Sequence, residues 1–578
     1  MDAPSVHDCA VHEDLLRKML CAQAISVGLL NWHAYGSHRD RFGMPPVLSP
    51  THRRHGLTWL LLVLAAVAGA AWWWSVGRPV DLPDAPSSRI ACVSYGPFRR
   101  AGESPLDPNA FISPQRIDAD MRMLSQRFDC VRTYSQGQGL SAVPEIAGRY
   151  GMKVLMGIWL SRDPKLNDQQ IQLGIAAAKA SPQALRGIIV GNEVLLRGEL
   201  SSAQIAGYLH EVKAAVNVPV TYADVWQFWL RHPELASSVD YLTIHILPYW
   251  EDQPVPSDQA VQHLIDVYAQ VERAFPGRQI MIGETGWPSE GRPRQGVKAS
   301  VVDEARYLRE FMRYAATARM PYNVFAAFDQ PWQRVLEGTV GGYWGIFDVN
   351  AKPKFPMQGP VTEEPHWAYG WLAGAVGALL FVLVGAWRRR WKSWRGWLAL
   401  LLLGFASGCA LAWQARQMWF ACRDVVEWTL SITACVLALV TALQLARWIA
   451  TRLAGVMPLV RSSEWLRFGW LFLLAYYGLL QVFDGRYRDF PLGLFELPCI
   501  GYALIALLSS RYEARMPLAE ACFLAAGLPL LAAIVVMQEA GLAPVAWLWL
   551  ALNAAMAAPV LVSWRQALQE LRLNPQQA

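Results

Sequence analysis

The sequence predicts an α/β protein in which a parallel (β/α)8 TIM barrel is flanked by transmembrane α-helices, one before it and about seven after. Three observations predict this. Short apolar runs alternate with amphipathic stretches between Ile90 and Phe328; one long apolar run precedes that segment; and beyond Trp367 the chain turns largely apolar. At 578 residues the chain is also too long for one ordinary core.

The first apolar run, Leu57 to Trp74, carries no charge and comes close to the roughly 20 residues that cross a bilayer. It starts far into the chain and lacks a small-residue cleavage pattern after it, so it reads as a retained anchor rather than a signal peptide. Further apolar segments start near Trp367, Trp397, Trp428, Phe468, Pro491, Leu518 and Ala543. Basic residues set their direction: "HRRH" precedes the first span, "RRRWKSWR" (Arg388 to Arg395) follows the second, and Arg447, Arg452, Arg461 and Arg467 follow the fourth. Both termini are then cytoplasmic, and Arg78 to Pro365 lies on the far side with the short loops "FDGRYRD" and "QEAGLAP".

The expected divisions are a cytoplasmic tail (1–56), a transmembrane anchor (57–76), an extracytoplasmic barrel (88–355), a seven-helix transmembrane domain (366–564) and a second cytoplasmic tail (565–578). Met44, which opens a compact leader, is a candidate start. The net charge of +6 follows from topology and implies no nucleic-acid partner. Glu427, Glu496, Glu520 and Glu539 lie near span ends and read as solvated. "QLARW" (Gln444 to Trp448) has a spacing seen in processive sugar synthases, but the loops are too short for a nucleotide-sugar domain, and Arg and Trp at a span end are ordinary.

The barrel strands are expected at 90–95, 130–134, 153–159, 187–193, 218–224, 241–247, 279–285 and 322–328. Helices fill the gaps; Ser113 followed by Pro114 is a good helix start. No glycine-rich phosphate loop follows the first strand, which argues against an open dinucleotide-binding sheet. Of nine cysteines, only Cys92 and Cys130 fall in this segment. They sit on adjacent strands, and two buried thiols are the expected state, with a disulfide the alternative in an oxidising compartment. No metal-ligand spacing is present, and no cofactor is expected.

Strand C-termini in such a barrel converge on one mouth. The residues there are Tyr95, Thr133, Tyr134, Trp159, Asn192, Glu193, Tyr222, Asp224, His245, Tyr249, Glu284, Trp287, Asp329, Gln330 and Trp332. Aromatic faces match pyranose rings, and acids and amides match ring hydroxyls, so the mixture reads as a carbohydrate cleft. Glu193 and Glu284 end strands four and seven, on opposite sides of the mouth. One strand-end glutamate is usually only solvated; two at matching ends of a barrel form a candidate catalytic pair whose separation decides between retaining and inverting chemistry.

"VGNEV" with Glu193 and "MIGETGWPSEG" with Glu284 resemble the two signatures of glycoside hydrolase family 17, the β-1,3-glucanase-like family of retaining barrel enzymes. The resemblance covers approximately residues 88 to 355. It implies Glu284 as nucleophile, Glu193 as acid/base, and Asn192 as a hydrogen-bonding partner of the sugar 2-hydroxyl, with Tyr95 and Tyr249 as cleft aromatics. Tyr134, His245, Trp287, Asp329, Gln330 and Trp332 complete the expected substrate-binding set, and Trp250, Trp287 and Trp332 are candidate acceptor platforms. "FDQPWQ" departs from the family's asparagine-rich ending of strand eight.

The expected function is that of a membrane-anchored β-glucan transglycosylase that elongates, branches or cyclises β-1,3-type glucans in the periplasm, tethered to a bacterial inner membrane. Hydrolysis by the same mechanism is the alternative. A non-catalytic glucan-binding subunit and a transporter carrying a sensory barrel are the readings from other classes. The expected partners are β-glucan and the lipid bilayer, with a glucan synthase as a candidate.

Overall fold

A computed structural model describes residues 52–387, 394–453, 464–508 and 519–573. Met44, most of the 1–56 tail, the basic residues from Arg388 to Arg390, and Arg461 lie outside them. Eight parallel strands close into a barrel in sequential order. They are β1 (Val93–Ser94), β2 (Cys130–Arg132), β3 (Lys153–Ile158), β4 (Leu185–Asn192), β5 (Val220–Val225), β6 (Leu242–His245), β7 (Ile280–Thr285) and β8 (Tyr322–Val324). Val93 pairs with both Val131 and Val324, which closes the ring.

Most strands are shorter than their expected runs, trimmed at one end or both, whereas Leu185–Asn192 starts two residues earlier than expected. Helix starts are set locally. Ser113 Oγ accepts from the Arg116 N–H at 3.3 Å ahead of Pro114, and Ser201 with Gln204 forms a capping box before Ser202–Ala215.

Period-two alternation divides each strand between the barrel interior and the shell of helices. One end of the interior is filled by Cys92, Cys130, Leu155, Ile189, Ala223 and Met281. Cys92 and Cys130 are joined in a disulfide, which corrects the expectation of two thiols. The physical reason is register: Val93 lies opposite Val131, so the preceding residues are neighbours, with Cα atoms 4.3 Å apart.

Among the described residues, seven helices are long and apolar enough to cross a membrane: one before the barrel, within His52–Val76, and six after it. A shorter apolar helix, Leu492–Leu508, stands at the remaining expected position. The final helix, Pro544–Leu573, runs past the expected end of the spanning region at 564.

The helical region and the barrel are joined by buried polar contacts. Arg292, in the loop after β7, pairs with Glu539 at 2.6 Å and donates to Gln481. The Gln295 N–H also reaches Glu539, at 2.6 Å. Arg416 bridges Glu290 of the barrel and Glu364, at 2.5 and 2.6 Å. Glu539 is thus a buried interface residue, correcting its expected solvation; charged groups of two regions met where neither sequence segment alone signals a partner. Glu427 is likewise paired, with Arg423 and Arg488, whereas Glu520 is exposed.

Candidate active site

The fourth strand reaches the mouth through a local irregularity. Its ladder to β5 shifts register between Ile189 and Asn192, and Gly191 there has φ 84°. A Cβ on Gly191 would press on Val194, Leu160 and Tyr222 at 3.0–3.2 Å, so the turn requires glycine. Glu193 follows with φ 51°, a left-handed conformation that costs energy in a residue with a side chain, and its N–H donates to the Ala223 carbonyl at 2.8 Å. The ladder between β6 and β7 also shifts, setting His245 opposite Glu284.

The result is a compact polar cluster. Carboxylate oxygens of Glu193 and Glu284 and a ring nitrogen of His245 all lie within 4.8 Å of one another. Glu284 is 5% exposed, and its Oε1 accepts from Arg132 Nη1 and from the Tyr134 hydroxyl, both at 2.9 Å. Arg132 Nη2 donates to Asn192 Oδ1 at 2.5 Å, and His245 Nε2 meets the same oxygen at 3.0 Å. With two donors on Oδ1, the Asn192 amide is oriented, and its Nδ2 meets no protein acceptor among the described residues. Ser94 Oγ holds Tyr134 at 2.8 Å, and Asn323 Nδ2 braces Ser94 Oγ and the Gly283 carbonyl, each at 2.8 Å.

The two glutamates differ electrostatically. Burial pushes the Glu193 carboxyl well above the usual range, reinforced by the negative charges of Glu284, Asp224 and Glu337. Burial also raises Glu284, but Arg132 and the Tyr134 hydrogen bond oppose it. Glu193 therefore holds its proton more readily, and Glu284 is the better stabilised anion. His245 is pushed well below its ordinary range by burial and then by Arg132, so it is neutral and donates from Nε2. The donor spacing of Glu193, His245 and Glu284 would admit a metal ion, yet the Arg132 guanidinium already supplies positive charge to Glu284.

Other expected residues separate into groups. Trp332 is half-buried and donates from Nε1 to Gln330 Oε1 at 3.1 Å. Asp329 is tied at 3.1 Å to Lys354, which also holds Glu304 at 3.0 Å. Three aromatics are corrected to packing positions. Tyr95 is 1% exposed and donates to Asp120 at 2.9 Å; alternation explains it, since Ser94 takes the inward position and sends Tyr95 into the helical shell. Trp287 is also 1% exposed and donates to the Lys298 carbonyl at 3.0 Å. Tyr249 is fully buried against it and donates to the Arg292 carbonyl.

Sequence reasoning passed over Arg132 and Glu337. Arg132 was legible as a charge inside the apolar run "CVRTY", a position a barrel strand fills with arginine only when a partner waits inside. Glu337 comes from the short helix Arg334–Gly341 after β8, and burial and then Glu284 push its carboxyl up to about 7. That helix touches the helical region: a Cβ on Gly338 would collide with the backbone of Tyr487, and Thr339 donates to Asp489. Trp250 stacks on Tyr249 and carries the guanidinium groups of Arg294 and Arg486 at 5.3 and 5.2 Å.

Comparison with known proteins bears on this site. Residues 92–345 match the BtgE/BtgC glycoside hydrolase domain. A glucan 1,3-beta-glucosidase of Arthroderma benhamiae is 26% identical over 43% of this chain and 86% of its own length. One from Schizosaccharomyces pombe is 26% identical over 41% and 79%. The crystal structure of a glycoside hydrolase family 17 beta-1,3-glucanosyltransferase from Rhizomucor miehei is 28% identical over 48% of this chain and 97% of that chain, with a TM-score of 0.41. By the matched segment and the two glucosidases, the barrel of this chain is similar to glycoside hydrolase domains of the family 17-like, β-1,3-glucanase kind.

Proposed function

We propose that the protein is a membrane-anchored, retaining β-1,3-glucan glucosyltransferase. The observation that carries the mechanism is the separation of the Glu193 and Glu284 oxygens, within 4.8 Å. Retaining enzymes hold their carboxyl groups roughly 5 Å apart, whereas inverting enzymes need about 6.5–9.5 Å to admit a water.

Each group then has a task. Glu284, held as an anion by Arg132 and Tyr134, attacks the anomeric carbon. Glu193, its proton retained by burial and neighbouring carboxylates, protonates the departing glycosidic oxygen. After the glycosyl-enzyme forms, Glu193 takes a proton from the acceptor hydroxyl, and the new bond keeps the β configuration. Asn192 directs its Nδ2 toward the sugar 2-hydroxyl, and the half-buried Trp332 offers an aromatic face to substrate.

Transfer is favoured over hydrolysis by the setting. The barrel is tethered on both sides by apolar helices, and a loop of the helical region abuts the helix that carries Glu337. An extracytoplasmic, periplasmic barrel is supported by the positive-inside distribution and by the Cys92–Cys130 disulfide, a bond that persists in oxidising compartments. Labelled laminari-oligosaccharides incubated with the full-length protein test the reading. Products longer than the substrate support transfer, shorter products alone make the protein a hydrolase, and no conversion removes both.

A further inference from the structure

The helical region meets the barrel at its mouth. Among the described residues, its polar contacts to the barrel fall on segments that follow β6, β7 and β8: Trp250, the stretch from Glu290 to Gln295, and the stretch from Arg334 to Tyr343. The last stretch is held at several points. Arg334 donates to the carbonyls of Phe420 and Cys422 at 2.8 and 3.3 Å, and its own carbonyl accepts from Arg423 at 3.3 Å. Tyr343 donates to the Phe420 carbonyl at 3.2 Å.

The middle of the stretch is shaped by the loop around Tyr487. Gly338 has φ 70° and ψ −167°, a conformation open to glycine, and it breaks the helix Arg334–Gly341 where the Tyr487 backbone lies against it. Thr339 beside it donates to Asp489, whose carbonyl is fixed by Gln481 Nε2 at 2.7 Å. Between Arg334 and Thr339, every hydrogen bond outside the stretch's own turns goes to the helical region.

This is the stretch that carries Glu337. Its carboxyl is half-buried, accepts no hydrogen bond among the described residues, and acts electrostatically on both Glu193 and Glu284. Arg486, from the same loop as Tyr487, partly offsets it. At Glu193, Glu337 adds to the negative charges of Glu284 and Asp224 and is opposed by Arg197. A displaced Glu337 would therefore leave Glu193 a weaker hold on its proton.

We propose that the helical region is a working part of the cleft: by gripping Gly338 and Thr339 through Tyr487 and Asp489, it positions Glu337 toward the glutamate pair. The inference rests on the transferase reading of that pair, and it gives the helices after the barrel a task beyond anchoring. Thr339 and Asp489 are positioning residues, since they act on the pair through Glu337.

Steady-state kinetics of the full-length protein on laminaritetraose test this. Thr339→Val removes the donor and should lower kcat/KM about tenfold, the scale of a small misplacement in a preorganised site. Its basic limb should move to lower pH, because Glu337 no longer supports the Glu193 proton. Asp489→Asn keeps an acceptor for Thr339 and should stay near wild type, whereas Asp489→Leu should match Thr339→Val. In Glu337→Gln the limb is already shifted, and adding Thr339→Val should not move it again. Tyr343→Phe, which frees the other end of the stretch, decides in the same way if Thr339→Val does not fold. An unshifted limb in Thr339→Val, or a further shift in the double variant, overturns the proposal. A wild type that binds laminaritetraose without converting it removes the transferase reading alone. Tryptophan fluorescence titration then decides: weaker binding by Thr339→Val supports the positioning role, and equal binding overturns it. No binding by the wild type overturns both.

Discussion

Arg132 Nη1 donates to Glu284 Oε1 at 2.9 Å inside the barrel, while Nη2 of the same guanidinium orients Asn192. One side chain thus stabilises one of the two proposed catalytic carboxylates and aims a neighbour of the other. Replacing it with methionine should lower kcat/KM by about 10²–10³-fold, the range for losing a preorganised charge-stabilising donor. The sign in pH follows from linkage. Arg132 opposes the upward push of burial on Glu284, so its loss raises that carboxyl further, and the acid limb of kcat/KM should move to higher pH. A profile shifted to lower pH would contradict the assignment.

Glu193 and Glu284 should fail differently. Glu284→Gln should abolish turnover of every glucoside, because no glycosyl-enzyme forms. Glu193→Ala should lose natural oligosaccharides yet keep turnover of aryl glucosides, whose leaving groups need no proton, and added azide should yield a β-glucosyl azide. Equal losses on both substrates, without azide rescue, would count against the division of roles.

The Arg292–Glu539 pair ties barrel to helices with both side chains almost wholly buried, 4% and 9% exposed. Glu539→Ala leaves the guanidinium uncompensated and should destabilise the full-length protein by about 3–5 kcal/mol, whereas Arg292→Met with Glu539→Leu should cost less. Thermal melts of the two variants in detergent, compared with wild type, supply the check; an additive double variant would show that the pair is not coupled.

Glu337 predicts a pH dependence of stability. Its folded carboxyl, pushed up to about 7 by burial and Glu284, binds its proton more tightly than in the unfolded chain. Stability from this group is present below the unfolded value near 4.5 and falls as pH rises toward 7. Glu337→Gln should therefore flatten the decline of Tm between those limits. An unchanged slope would remove Glu337 from the account.

The parts legible in the sequence were those written in local pattern. Period-two runs with polar ends marked the strands, long apolar stretches marked the helices, and Glu193 and Glu284 stood out because each ended a buried strand. Arg132 carries its mark just inside the strand end at Thr133 and Tyr134, a charge within an apolar run whose partners, Glu284 and Asn192, no local pattern names. Tyr95 was misplaced by one step of alternation, since only the Ser94 contacts reveal which of the two faces inward. The contacts of Arg292 with Glu539 and of Gly338 with Tyr487 join residues far apart in the chain, and packing between regions leaves no local mark.

The central claim is a double displacement through Glu284 with Glu193 as acid/base, and the configuration of the product formed first tests it most directly. Proton NMR of the full-length enzyme acting on a β-1,3-linked oligosaccharide, read before mutarotation, should show the β anomer at the transferred residue. Initial appearance of the α anomer would contradict a retaining mechanism.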